Sequence, residues 1–418
     1  MRAAVGSTPI RSRREWMVNM EMSDQQAIYD SLVRRIFAVE DITLGTSQQR
    51  YLVRYRGRLY HDDSAAAYDQ LSNSLKPYGV TPLFRIEDGR QAIILVPGLP
   101  NPKPSNPWIN LVLFIATVLS VGLTGASFGL DQPLSGDIAQ DAWTLFNKGW
   151  PFAVSLLLIL GAHEFGHYLV GRYHGVHVTL PYFIPFPFSP FGTMGAFINM
   201  KETPKNRRVL LDIGIAGPLA GLVVSIPVVL LGLSLSKLDF IPTNPPAGMF
   251  ITLEGNSILY LALKYLTFGK LLPEPTSFGD LSPVVYWLRY FFTGSPMPFG
   301  ALDVTIHPVA WAGWAGILVT SLNLIPAGQL DGGHIVSVLL GEKRIRQLYP
   351  FVLGVLVLLG FVWNGWWIWA ALVFFLGRVI AEPLDGITQL DNRRRFLAIL
   401  AVIIFFLVFT PVPLVALM

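Results

Sequence analysis

The sequence predicts a polytopic α-helical membrane protein with about 6–8 transmembrane helices, preceded by a small soluble α+β domain. Of the 418 residues, 52% are hydrophobic and only 14% are charged, whereas soluble domains have roughly 25% charged residues. Long apolar runs follow one another after Pro107, and residues 1–106 contain none. The Lys and Arg residues flank these runs as topology anchors, so the net charge of +4 does not indicate nucleic-acid binding.

The first domain is expected to cover residues 1–106 and the membrane-embedded domain residues 107–418, with a Pro-rich linker over 97–107. Hydrophobic periodicity in the first domain predicts two helices and four strands. The helices are expected at 24–34 and 63–75, and the strands at 37–44, 51–55, 82–86 and 91–96. The Asp88-Gly89 pair favours a tight turn between the last two strands. Together these elements predict a ββαββ core.

Several apolar runs after the linker are long enough to cross roughly 30 Å of hydrocarbon. They are 108–130, 150–172, 209–233, 308–330 and 396–417. A longer run, 349–377, is interrupted by Trp363-Asn364-Gly365-Trp366 and forms either a kinked helix or a helical hairpin. The run 251–268 contains Glu254, Asn256 and Lys264, and we expect it at the far membrane surface.

The positive-inside rule favours the hairpin. With a hairpin, the basic residues of the N-terminal domain and the clusters 201–208, 343–346 and 393–395 all lie on one side of the membrane. Asp131, Asp137 and Asp141 then lie on the opposite side. We therefore expect the N-terminal domain on the cytoplasmic or stromal side.

The run 150–172 carries the first chemical signal. It contains Gly161-Ala162-His163-Glu164-Phe165-Gly166-His167, and the chain has no cysteine, so any metal must be held by histidines and carboxylates. His163 and His167, at positions i and i+4 of a helix, point to the same side and can bind one zinc ion. Glu164 is placed to act as the general base on the attacking water. The alternative is that the three side chains pair within the bundle without a metal.

A tetrahedral catalytic zinc site needs a third protein ligand, and Asp331 is the best candidate. It follows Asn323 in a stretch that Pro326 and several glycines loosen, and such irregular backbone inside a membrane lines protein or water. Asn323 could donate a hydrogen bond to a substrate carbonyl or its oxyanion. The alternatives are a helix-end carboxylate at the interface for Asp331 and an interhelical hydrogen bond for Asn323.

These two segments resemble the site-2 protease family of intramembrane metalloproteases. The first family motif, H-E-x-x-H in a membrane helix, is matched at 163–167, and the second, N-x-x-P-x-x-x-x-D-G, is matched at 323–332. The resemblance covers residues 107–418. It implies one Zn²⁺ per chain, bound by His163, His167 and Asp331, with Glu164 as base and Asn323 near the substrate.

Two further stretches are similar to the family, 192–197 as a membrane-re-entrant strand pair and 216–221 in the next helix. The re-entrant strands offer an edge on which an unwound substrate could pair. The region 234–304 is too short and Pro-rich for the PDZ domain that some members carry. The chain is most similar to cyanobacterial and chloroplast members, which implies a bacterial plasma membrane, a thylakoid or a chloroplast membrane.

The sequence thus predicts a zinc-dependent intramembrane endopeptidase that cleaves transmembrane segments of membrane proteins within the lipid bilayer. One alternative is a transporter of metal ions or protons, but the inverted repeats that many transporters show are not found in the sequence. The other is a catalytically silent scaffold that binds membrane clients, which the presence of Glu164 disfavours.

Overall fold

The computed structural model describes residues 13–46, 48–102, 104–128, 130, 134–243, 251–379 and 381–417, with the backbone alone at 13–23, 251, 416 and 417. Asp131, which we expected opposite the basic clusters, lies outside the described residues. The chain forms two compact units. The first comprises 1–101, 205–207 and 383–389, and the second comprises 102–204, 208–382 and 390–418.

The first unit has the predicted ββαββ core behind an N-terminal helix. Its elements are α1 (Arg13–Arg34), β1 (Phe37–Leu44), β2 (Val53–Leu59), α2 (Ser64–Leu75), β3 (Val80–Glu87) and β4 (Arg90–Pro97). The sheet is antiparallel in the order β1-β2-β4-β3. Asp88 and Gly89 both have positive φ, 50° and 80°, as a two-residue type I′ hairpin requires. α1 begins earlier, and β2 ends later, than the sequence predicted.

Residues 383–389, which lie far along the chain, complete the first unit. The N–H of Gly386 donates to the carbonyl of Phe84 at 3.0 Å, so the segment adds to the edge strand β3. Asp385 is fully buried. Its carboxylate accepts the hydroxyl of Ser64 at 2.8 Å and two backbone N–H groups of its own turn. A buried carboxylate satisfied in this way holds the segment firmly in place.

We expect Asp385→Ala to lower the opening free energy of this unit by about 2–3 kcal/mol, because it leaves buried donors unpaired. Hydrogen exchange of the β3 amides in the full chain measures this change. Asp88→Asn, at the exposed hairpin turn, is the matched control, since Asn tolerates the same backbone conformation. Equal protection of β3 in both variants would contradict the anchoring role.

The second unit is mainly helical. Its helices are α3 (Pro107–Ser127), α4 (Ile138–Tyr173), α5 (Arg207–Ser234, whose first residue belongs to the first unit), α6 (Ile258–Phe268), α7 (Pro283–Thr293), α8 (Pro308–Asn323), α9 (Asp331–Leu340), α10 (Glu342–Gly360), α11 (Gly365–Leu376) and α12 (Asn392–Val408). Short strands form three two-stranded antiparallel pairs: β5 (Tyr182–Pro185) with β6 (Thr193–Phe197), β7 (Lys237–Phe240) with β9 (Leu302–Thr305), and β8 (Ile251–Glu254) with β10 (Leu414–Leu417).

Among the described residues, α3, α4 and α5 are long and apolar enough to cross a membrane. This result supports a mainly helical membrane protein, although it does not establish the predicted 6–8 spans. The run 349–377 is the hairpin rather than a kinked helix, because the Tyr349 hydroxyl on α10 lies 3.1 Å from the Phe374 carbonyl on α11. The strand pair expected around 192–197 is present as β5 and β6.

Two predicted spans end early. The run 308–330 is helical only to Asn323, because Pro326 lacks a backbone N–H and Gly328 adopts a φ of +54°. The run 396–417 is helical only to Val408, and Pro411 and Pro413 precede strand β10. Helix α8 is nonetheless the most enclosed part of the unit, with Trp314 almost fully buried.

Candidate metal centre

The two histidines of the first motif lie where the i, i+4 spacing places them. His163 and His167 are one turn apart on α4, both almost fully buried, and their Nε2 atoms are 3.2 Å apart. His167 Nδ1 lies 2.7 Å from the carbonyl oxygen of Ile213 on α5. A carbonyl oxygen can only accept, so Nδ1 carries the proton and Nε2 is left as a free ligand atom.

Asp331 reaches the same point from the other predicted motif. α8 ends at Asn323, the backbone turns irregularly through 324–330, and α9 begins at Asp331. The irregular segment folds tightly, because a Cβ at Gly332 would lie 1.9 Å from the Leu324 carbonyl oxygen. Asp331 Oδ2 is 3.2 Å from His163 Nε2 and 3.3 Å from His167 Nε2.

These three ligand atoms fit a zinc ion. Their mutual distances are 3.2, 3.2 and 3.3 Å. A tetrahedral zinc with bonds of about 2.0–2.1 Å to nitrogen and oxygen spaces its ligand atoms about 3.3 Å apart. Within the described residues, His163, His167 and Asp331 also form the group of side chains that are close enough together to hold a metal ion. Two imidazoles and one carboxylate are a donor set that zinc accepts in catalytic sites.

Helix α5 makes room for the imidazoles. A Cβ at Gly217 would lie 2.0 Å from His167 Nε2, and a Cβ at Gly221 would lie 3.2 Å from His163 Nδ1. The stretch 216–221 therefore does more than allow two helices to pack closely. Its glycines leave the space that the imidazoles of His163 and His167 occupy on α4.

We expect Gly217→Ala to remove bound zinc, because the new methyl group would occupy the position of the His167 ligand atom. Metal analysis of the purified protein measures the loss. Gly161→Ala is the matched control, since it lies on α4 close to the motif and a Cβ there meets open space. A Gly217→Ala protein that holds as much zinc as Gly161→Ala would refute the glycine's role.

Glu164 lies beside this group in a cleft of about 410 Å³. Its side chain is almost fully buried, and Ile198, just after strand β6, lines the same cleft. Asn323 Nδ2 is 3.2 Å from His163 Nε2. The structure thus brings all five predicted site residues to one cleft: His163, Glu164, His167, Asn323 and Asp331.

Some contributors were missed at the sequence level. The Ile213 carbonyl leaves no signal in a sequence, because any residue type presents one. Gly217 belongs to a run of small residues, which in a sequence indicates only close helix packing. His334 lies outside both motifs, yet it is buried in the cleft wall, and its Nδ1 has no hydrogen-bond partner within the described residues.

Comparison with known proteins agrees with the site. The profile of Peptidase family M50 matches residues 151–363, a range that contains both motifs. The chain belongs to this family. A rice (Oryza sativa subsp. indica) relative described as "Probable zinc metalloprotease EGY2, chloroplastic" is 27% identical over 400 residues, which cover 93% of this chain and 67% of the relative. No solved structure matches the chain.

Two Arabidopsis thaliana proteins are also similar. The EGY2 protein is 32% identical over 276 residues, or 66% of this chain and 44% of its own. The EGY1 protein is 30% identical over 266 residues, or 63% and 43%. The chain thus spans from less than half to about two thirds of the length of these relatives. Each is described as a "Probable zinc metalloprotease" and as chloroplastic. The predicted class, a zinc metalloendopeptidase of the site-2 protease family, is confirmed.

Proposed function

We propose that this chain is an intramembrane endopeptidase that cleaves the transmembrane segments of other membrane proteins. The observation that carries the proposal is the cluster of four ionisable side chains in an apolar helical bundle: His163, Glu164 and His167 are buried, and Asp331 is half-buried. A charged side chain at the centre of a membrane helix costs about 2.5–3.5 kcal/mol to insert on translocon scales. Metal binding and catalysis give a reason for the arrangement that packing does not.

In the proposed reaction His163, His167 and Asp331 hold zinc. When bound, zinc lowers the pKa of a water molecule and polarises the scissile carbonyl. Glu164 takes a proton from the attacking water and transfers it to the nitrogen of the departing amine. Asn323, whose amide lies next to His163, donates a hydrogen bond to the carbonyl oxygen as negative charge develops on it.

The position of strand β6 favours a substrate that binds in extended conformation. Residues 196–200, which run from the end of β6 into the adjoining loop, line the same cleft as Glu164. β6 pairs with β5 along one edge within the described residues. A transmembrane segment must lose its helix before a protease can reach its carbonyls, and the other edge of β6 could bind the unwound backbone by strand addition.

We further propose that the N-terminal domain lies on the cytoplasmic or stromal side. Lys205–Arg207, which lies within the basic cluster 201–208, belongs to the same compact unit as residues 1–101. This agrees with the side that the positive-inside rule gives that cluster. The relatives' descriptions as chloroplastic support a thylakoid or other chloroplast membrane, or the equivalent membrane of a cyanobacterium.

Replacing the base gives the sharpest test. We expect Glu164→Gln to keep about one zinc per chain and to lose cleavage of a single-span membrane protein in proteoliposomes by about 10²–10⁴-fold, because Gln cannot accept the proton. Cleavage is followed on gels and zinc by metal analysis. Wild type that holds zinc without cleaving any of a panel of single-span proteins would favour the scaffold alternative, and cleavage by Glu164→Gln would refute the assigned base.

Replacing Asn323 tests whether its side chain stabilises the oxyanion. We expect Asn323→Ala to lower kcat by about 10²–10³-fold with little change in KM, because the hydrogen bond strengthens only as charge develops. Steady-state kinetics on a fluorogenic transmembrane peptide in detergent separate the two parameters, with zinc content as the control. A rise in KM at unchanged kcat would instead indicate that Asn323 only binds the ground-state substrate.

A further inference from the structure

Polar side chains from three helices meet near the C-terminal end of α4. Arg394, in the first turn of α12, forms a two-bond fork with Asp212 of α5, with distances of 2.9 Å from Nε to Oδ1 and 2.6 Å from Nη2 to Oδ2. His174, which caps the C-terminus of α4, places Nε2 3.0 Å from the same Oδ2. Asp391, the N-cap of α12, holds the guanidinium through Nη1 at 2.6 Å. Asp212 therefore joins α4, α5 and α12.

This network lies next to a contact that the metal site needs. Asp212 directly precedes Ile213, whose carbonyl accepts the Nδ1 proton of His167 at 2.7 Å. His174 lies about two helical turns beyond His167 on α4. Helices α4 and α5 are thus joined at two successive points, one between His174 and Asp212 and one at His167 itself. A slide of α5 along α4 would break both.

We propose that Asp212 is a positioning residue for the zinc ligand His167. Held by Arg394 and His174, it fixes the register of α5, and through the Ile213 carbonyl it fixes the tautomer and orientation of the imidazole. Groups that orient a metal ligand in this way change metal affinity by about 10–100-fold when they are mutated. The inference rests on the proposed zinc site and adds to it a network that neither motif contains.

A comparison of Arg394 with its two neighbouring arginines distinguishes the positioning role from an effect on membrane topology. Arg393, Arg394 and Arg395 are consecutive and contribute equally to the positive-inside rule. The first and last are exposed, whereas the Arg394 side chain is 29% exposed and Asp212 only 19%. The fork to one carboxylate is geometry that arginine provides and lysine does not. Topology alone would make the three arginines interchangeable.

The test measures zinc affinity by competition with a chromogenic chelator on the intact protein in detergent. We expect Asp212→Asn to weaken zinc binding by about 10–100-fold. Arg394→Lys, which keeps the charge and loses the fork, weakens it in the same direction. Arg393→Lys, the exposed neighbour, stays within about twofold of wild type. Wild-type affinity in both Asp212→Asn and Arg394→Lys would overturn the positioning role.

His174 provides a second pair of variants that does not remove the buried carboxylate, and it decides the question if Asp212→Asn does not fold. His174→Gln keeps a neutral donor near the position of Nε2 and should retain wild-type zinc affinity, whereas His174→Leu should weaken it. If His174 had a purely structural role, both variants would lower the thermal stability of the zinc-free protein, and Gln would not restore zinc affinity relative to Leu. Equal zinc affinity in His174→Gln and His174→Leu would therefore refute the proposal. A wild type that binds no zinc would refute the proposed metal site itself.

Discussion

The structure depends on the close approach of α4 and α5 where the His167 imidazole occupies the space that a side chain at Gly217 would fill. In a lipid bilayer, helices are not driven together by the hydrophobic effect, so close backbone contact and polar bonds must hold them. Gly217 permits the contact, and the bond between His167 and the Ile213 carbonyl fixes it. That single bond also decides which nitrogen of the ring is left for a metal.

The position of Asp331 follows from a second constraint. An irregular backbone can exist at membrane depth only where protein or water satisfies its polar groups. The segment 324–330 meets this condition by folding on itself, with Gly332 and Gly333 packed against carbonyl groups of the same segment. The turn ends α8 at Asn323 and restarts a helix at Asp331, so two polar side chains eight positions apart in sequence reach one imidazole.

In the N-terminal part of the chain, the domain boundary indicated by composition differs from the compact unit formed by packing. The change from polar to apolar sequence near Pro107 reflects which residues suit water and which suit lipid. The compact unit observed around the N-terminal sheet also contains 205–207 and 383–389, two short segments between hydrophobic helices. Asp385 has no exceptional sequence context, and its burial against Ser64 depends on a contact between residues about three hundred positions apart.

The sequence by itself determined the membrane class, the ββαββ order, the hairpin turn at Asp88-Gly89 and the two motifs that carry the site residues. Each is local, because spacing along one helix or strand fixes which side chains share a face. Tertiary structure alone decided the place of Asp385, the role of Gly217 and the network around Asp212. These depend on which backbone lies opposite, and a carbonyl or a missing Cβ has meaning only once a second helix has come close to it.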